Sequence, residues 1–268
     1  MDFKYFHSLD SLDLYKKLDC QFSHCGIITS KAIFPGFQVA WVDCICLRNN
    51  LIKYEPILID KLTKNLADQE ENQILVLPLN PVYNIAAISS GWSKWCEILE
   101  KKVEHYKFPS CQICVRCFDV SDLDFVMPLM AESIKLGLPA PIRDFYKKID
   151  IFEMTYRRIR SILDADNLAI IAEISNEPVG YCFATFEQEF THIHDTLVVD
   201  KWRKNGISTF LTSIIEFASI EKNISILRGS ISVDSLEESN SLNQSLHRNK
   251  WSTKYVHFVF KNEKSFIV

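Results

Sequence analysis

Apolar and polar positions along this chain switch repeatedly between a period of two and a period of three to four, the two signatures of half-buried strands and one-sided helices. Residues 9–18 predict a short amphipathic helix. From Gly36 the pattern becomes regular: a strand over 37–47, a turn at Asn49-Asn50, a helix from Pro56, a strand over 73–79, and a helix over 92–106. The last rests on Trp92, Trp95, Cys96, Leu99, Val103 and Tyr106, which keep helical spacing. Pro109 interrupts the text, and a second α/β unit starts with a strand over 112–118. Next comes a helix opened by Ser121 with Asp124 three residues on, its buried face being Leu123, Val126, Met127, Met130 and Ile134. Gly137-Leu138-Pro139-Ala140-Pro141 ends it, and a helix over 143–163 follows, with Ile149, Phe152, Tyr156, Ile159 and Leu163 on its inner face.

The remainder alternates strand and helix. A hairpin joins strands 168–174 and 177–187 around Ser175-Asn176. A strand over 192–199 runs into a basic turn, 200–205, and a helix opens at Gly206 with Ile207, Phe210, Leu211, Ile214, Ile215 and Ala218 inward. A strand over 225–233, a helix over 236–248 and a strand over 254–261 complete the order. The predicted class is α/β with a mixed sheet, in two parts: an N-terminal α/β segment, 1–109, and a domain over 110–268.

Composition narrows the function classes. Hydrophobic residues make up 47% and charged residues 24% of the chain, the profile of a folded globular protein. With a formal charge of −4 and no long run of one sign, a dedicated nucleic-acid surface is not expected. Apolar runs fall short of a spanning helix and the start is acidic and broken, so the sequence predicts a cytoplasmic protein without a membrane partner. Nine scattered cysteines read as reduced thiols. Cys111, Cys114 and Cys117 are one thiol short of a structural zinc set, and strand alternation turns Cys114 away from its neighbours, so no metal is expected.

The turn Arg203-Lys204-Asn205-Gly206-Ile207-Ser208 is built to hold an anion. It precedes a helix whose first N–H groups have no internal partner and sit at the positive end of the dipole, and Gly206 permits close approach. The pattern R-x-x-G-x-S, with Val198 five residues before it, resembles the acetyl-CoA pyrophosphate loop of the GNAT superfamily of acyl-CoA-dependent N-acyltransferases, usually Q/R-x-x-G-x-G/A. The element order from residue 112 is similar to the complete GNAT fold. The segment from Asn240 to Trp251 resembles the family's later signature with one residue fewer and Lys250-Trp251 in place of Gly-Phe. Residues 37–106 have the order of a GNAT half without a glycine at the matching turn, Arg48 to Lys53: either a degenerate repeat or an unrelated α/β appendage.

The resemblance implies a fold, a donor and a site. Backbone N–H groups from Lys204 to Ser208, through Asn205, Gly206 and Ile207, would hold the pyrophosphate of acetyl-CoA as co-substrate, with Arg203 adding charge and Asn240 a further contact. The pantetheine arm would pair with Leu197, Val198 and Val199. His192 stands where the family commonly carries a glutamate base, and alternation puts His192, His194 and Thr196 on the face of Val198, with Asp195 opposite. His247 lies at or beside the family's usual acid. A small-molecule or peptide amine is the implied acceptor. The alternative is a non-catalytic acyl-CoA sensor or protein-interaction module that keeps the fold.

Overall fold

The computed structural model describes residues 15–17, 26–34, 37–43, 72–78, 81–104, 113–138, 151–163, 167–232 and 240–260. The predicted helix from Pro56, the turn at Arg48 to Lys53, Cys111 and the start of the helix over 143–163 lie outside them. The chain forms two compact units, Met1–Ile98 with Thr253–Val268, and Leu99–Ser252.

In the first unit, strands β1 (Tyr15–Lys17), β2 (Gly26–Phe34), β3 (Phe37–Asp43), β4 (Asn72–Pro78) and β11 (Ser252–Phe260) are neighbours in that order. β3 pairs with β4 in parallel, and β11 with β4 antiparallel, from Tyr255 opposite Pro78 to Phe260 opposite Gln73. Tyr15–Lys17 is therefore strand, where an amphipathic helix was expected. Helix α1 (Pro81–Ser89) opens on the proline that the first turn tolerates, because the missing N–H is one the helix cannot use.

Ser93–Lys102 is a strand, β5, which corrects the helix expected over 92–106. The helical spacing misled because its polar residues are inside the sheet and satisfied by residues far along the chain. Glu97 accepts from Thr253 (2.6 Å), and Glu100 from Arg228 (3.0 Å). Charges that look like the wet face of a helix are thus ladder partners, a tertiary fact that periodicity does not encode.

His257 is a buried polar group of the first unit, 2% exposed, with Nδ1 3.5 Å from the Cys96 sulfur and its ring 6.0 Å from that of Trp95. Burial lowers its pKa to about 3. A histidine held neutral contributes stability that is fully present above its unfolded pKa of ~6.5 and is lost as pH falls towards the folded value. Acidification to about pH 4.5 should therefore remove on the order of 2–3 kcal/mol. Denaturant titrations at both pH values should show that pH term disappear in His257→Leu; an unchanged term would assign the acid sensitivity elsewhere.

The second unit carries strands in the order β10 (Ile226–Ser232), β9 (Thr191–Val198), β8 (Glu177–Phe186), β7 (Asn167–Ile174), β6 (Cys114–Cys117). All pairings are antiparallel except β9 with β10. The β7–β8 hairpin turns at Ser175 and Asn176, both left-handed (φ 53° and 64°), the backbone that a two-residue hairpin demands. Helix α4 (Ile207–Glu221) covers one face, with Ile207, Leu211 and Ile215 packed on Ile170, Cys182, Val198 and Leu227. Helices α2 (Leu123–Gly137) and α3 (Ile151–Leu163) cover the other, packing Val126, Met130, Ile159 and Ile162 against Ala169, Ile171, Tyr181 and Phe183.

Two local expectations are corrected here. The cap belongs to Asp119, whose carboxylate accepts from the Ser121 N–H in front of a 3-10 turn, Val120–Asp122, while Asp122 accepts from the Asp119 N–H. The inner face of α3 is Thr155, Ile159 and Ile162, whereas Phe152, Tyr156 and Leu163 are exposed. Arg158 lies towards this inner side, its Nη2 donating to the His194 carbonyl (3.3 Å).

The segment from Leu99 to Glu104 belongs to the second unit, although the sequence boundary near residue 110 places it earlier. Leu99 joins the α4-side core, the Val103 N–H donates to the Ser225 carbonyl (2.9 Å), and Lys101 pairs with Glu216 of α4.

Candidate functional site

The site is assembled around β9. Phe183 of β8 faces Asp195 while the next residue, Ala184, faces Ile193, so His194 is an extra residue, a β-bulge. The bulge resets the alternation. Thr191 bonds Ser219 of α4 (2.7 Å), Ile193 and Val198 pack into the α4-side core, and Thr196 donates to Cys182 in that core (3.0 Å). His192, His194 and Asp195 take the opposite face, towards α2 and α3. The expected shared face of the two histidines holds, but Thr196 and Val198 are not on it and Asp195 is. One inserted residue accounts for each of these changes.

On that face the imidazoles of His192 and His194 stack, centroids 4.7 Å apart and 21° from parallel, with His194 Nε2 against the Thr185 hydroxyl. Burial holds the His194 pKa well below the ordinary imidazole value, with His192 and Arg158 adding repulsion, so the ring is neutral near pH 7. Phe190 stands 6.4 Å from His192, and the Arg228 guanidinium lies over the Phe190 ring, 3.7 Å from its centroid.

Beyond His194 lies a polar cluster that sequence reasoning missed. Asp195 accepts from the Tyr181 phenol (2.6 Å) and the Ser133 hydroxyl (3.1 Å), drawing β8 and α2 onto one carboxylate. Burial raises its pKa, while Tyr181, Arg158 and Ser133 pull it down. Tyr181 is pushed up by burial and then by Asp195, and burial lowers Arg158. No sequence signal marks the cluster, since its members come from four elements.

The second half of the site is an open strand edge. β9 and β10 pair at Leu227 with Thr191 and Arg228 with His192, and among the described residues this register goes no further along the two strands. The Val199 N–H donates to the Val179 carbonyl (2.9 Å), which makes Gly180 and Val198 a non-hydrogen-bonded pair and turns the Val198 peptide groups away from β8. Gly180 has no room for a side chain, a Cβ there lying 2.8 Å from the Leu197 carbonyl. Of Leu197, Val198 and Val199, then, Val198 addresses the open edge, and its carbonyl accepts from Arg203 Nε (3.1 Å).

The turn that follows reverses the chain into α4 through left-handed backbone. Lys204 and Gly206 are left-handed (φ 66° and 76°), and Gly206 is the N-cap of α4 with no side-chain cap bond. The first i to i−4 bond runs from Phe210 to Gly206, so the N–H groups of Ile207, Ser208 and Thr209 precede the helical ladder. A Cβ at Gly206 would meet nothing within 4 Å: the glycine serves the backbone angle and leaves open space in front of the helix. Lys204, Asn205 and Ser208 are exposed.

Two further predicted residues lie on helix α5 (Asn240–Arg248). Asn240 opens it. His247 is exposed beside Leu246, which packs into the α4-side core. Among the described residues no group of three or more His, Cys, Asp or Glu is arranged to hold a metal, and Cys114 and Cys117 are exposed free thiols. Among them, too, no helix is long and apolar enough to cross a membrane.

No protein-family model matches the sequence, and a search of curated proteins finds no match. Solved structures do match. An acetyltransferase of the GNAT family from Colwellia psychrerythraea is 8% identical, with a TM-score of 0.52 over 90% of this chain and 82% of that one. The chain has the GNAT fold. A functionally unknown conserved protein from Staphylococcus epidermidis is 10% identical, with a TM-score of 0.56 over 98% of both chains. At such identities the likeness is one of architecture, and in the GNAT fold of this chain the bulged β9, its open edge and the α4 N-terminus stand together in the second unit.

Proposed function

We propose that the protein is an acyl-CoA-dependent N-acyltransferase, with acetyl-CoA as the donor and a small-molecule or peptide amine as the acceptor. The observation that carries this reading is the spacing along β9. Val198, with a free strand edge and the anion turn beside it, is six residues from His192, about 20 Å at the rise of a strand. A lone phosphate would need the turn alone; a phosphopantetheine arm that starts at the turn and lies along the open edge ends at the histidines.

The chemistry then falls to this chain's own groups. The α4 N–H groups with Lys204 and Ser208 would hold the pyrophosphate, and the Val198 N–H would pair with the arm. The acceptor nitrogen attacks the thioester carbon, the new C–N bond forms as the C–S bond breaks, and the stacked His192–His194 pair takes the amine proton. Because burial and neighbouring positive charge disfavour an imidazolium at His194, the proton is held briefly and passed to the departing thiolate, regenerating neutral imidazole and free CoA. No covalent enzyme intermediate is needed.

Calorimetric titration of the full chain with acetyl-CoA is expected to show saturable binding, and Gly206→Val to weaken it about tenfold or more, since the side chain enters the open space and opposes the left-handed backbone. Turnover over a panel of amines separates the enzyme from an acyl-CoA sensor, which would bind without transfer. A wild-type protein that binds neither acetyl-CoA nor CoA would overturn the reading.

A further inference from the structure

We infer that Arg203 is a positioning residue that clamps the turn between β9 and α4, and that its positive charge is not the anion ligand; the inference rests on the CoA reading above. Two of the three guanidinium nitrogens already have partners within the turn, although the side chain is 58% exposed. Nε donates to the Val198 carbonyl at 3.1 Å, and Nη2 lies 2.8 Å from Asp200 Oδ1. Asp200 offsets the charge, and the Val198 carbonyl receives a donor that the open strand edge cannot supply. What Val198 requires of residue 203 is an N–H at the right reach, because an acceptor without a partner costs more than a bond gains.

The rest of the turn is held in the same inward manner. The Trp202 N–H donates to the Val199 carbonyl (2.8 Å), the Arg203 N–H to the Asp200 carbonyl (3.1 Å), and Asn205 Nδ2 to the Trp202 carbonyl (3.2 Å). Arg203 is the side chain that ties this coil back to the end of the strand, just before the left-handed Lys204 and Gly206 reverse the chain into α4. Two consequences follow for the ligand. Of the Val198 peptide groups on the open edge, the N–H is the one left to pair with it. The charge that faces the anion is that of Lys204, which is exposed and has no ion pair among the described residues.

A pair of substitutions separates clamp from ligand. In Arg203→Gln the amide nitrogen stands the same number of bonds from Cα as Arg203 Nε, so the donor stays and the charge goes; Arg203→Met loses both at similar length. Titration of full-length protein with CoA should give R203Q a Kd within about threefold of wild type with unaltered salt dependence, and R203M a Kd about tenfold weaker. Lys204→Gln should flatten the salt dependence. If R203Q and R203M weaken equally and both flatten it, Arg203 is the anion ligand and the inference is wrong; an R203M that binds like wild type also overturns it. Amide hydrogen exchange over residues 199–210 without ligand gives a readout independent of CoA: faster by about tenfold in R203M and unchanged in R203Q if the clamp operates. Should wild type not bind CoA, the functional reading falls, and exchange still decides the clamp: equal rates in R203M and wild type, or equally raised rates in both variants, sink it.

Discussion

Lys101→Met is expected to destabilise the second unit by about 3–5 kcal/mol, whereas Lys101→Met combined with Glu216→Leu should return close to wild type. The Lys101 side chain is 10% exposed and its partner Glu216 on α4 is 1% exposed. Removing the lysine alone leaves a carboxylate in a low-dielectric interior, where its lost hydration is unbalanced by an opposite charge. Removing both replaces two desolvated ions by apolar groups in a buried site, and desolvation and attraction vanish together. Urea unfolding of the two variants and wild type measures this directly. A single substitution costing under about 1 kcal/mol would show that the carboxylate reaches water or another partner, and the buried pair would lose its importance. The test also bears on where the domain begins, because Lys101 precedes residue 110 and a fragment starting there would lack it.

His192→Ala with His194→Ala is expected to lower acyl transfer about 10²–10⁴-fold, the range for loss of a positioned acid–base group, with acetyl-CoA affinity changed little. The two belong together in one variant because the rings stack at 4.7 Å, so that a charge on either disfavours a charge on the other. Single substitutions should therefore be less than additive. The pH profile has a defined sign: activity needs neutral imidazole, and burial lowers the His194 pKa, so the acid limb should lie below the ordinary histidine range. A double variant with wild-type turnover would remove both from the chemistry and point to an ordered water chain. Asp195 is the group to test next, since it shares their face and carries a raised pKa.

Most of the second unit was legible in the sequence, for reasons that its elements make plain. The Ser175-Asn176 hairpin, the strand into Val198 and the helix at Gly206 follow from local rules, namely left-handed turn residues, alternation and a three-to-four apolar stripe, and all three are present. Strand β5 was misread because Glu97, Glu100 and Lys101 find partners more than a hundred residues away. The apolar stripe did not anticipate the face of α3, because polar Thr155 and Arg158 turn inward with Ile159 and Ile162 while Phe152, Tyr156 and Leu163 are exposed.

For the site the division is similar. The sequence by itself determined the fold class, the strand-to-helix turn at Arg203 to Ser208 and the placing of His192 with His194 on one strand face, because each depends on residues adjacent in the chain. Tertiary structure alone decided that Asp195 joins them, that Val198 is the strand residue with a free edge, and that Arg203 bonds back to the Val198 carbonyl. A one-residue bulge and a strand that loses its neighbour after Arg228 set these outcomes. Both are properties of how β8, β9 and β10 pair, and pairing is settled between segments, where no periodicity within one segment can register it.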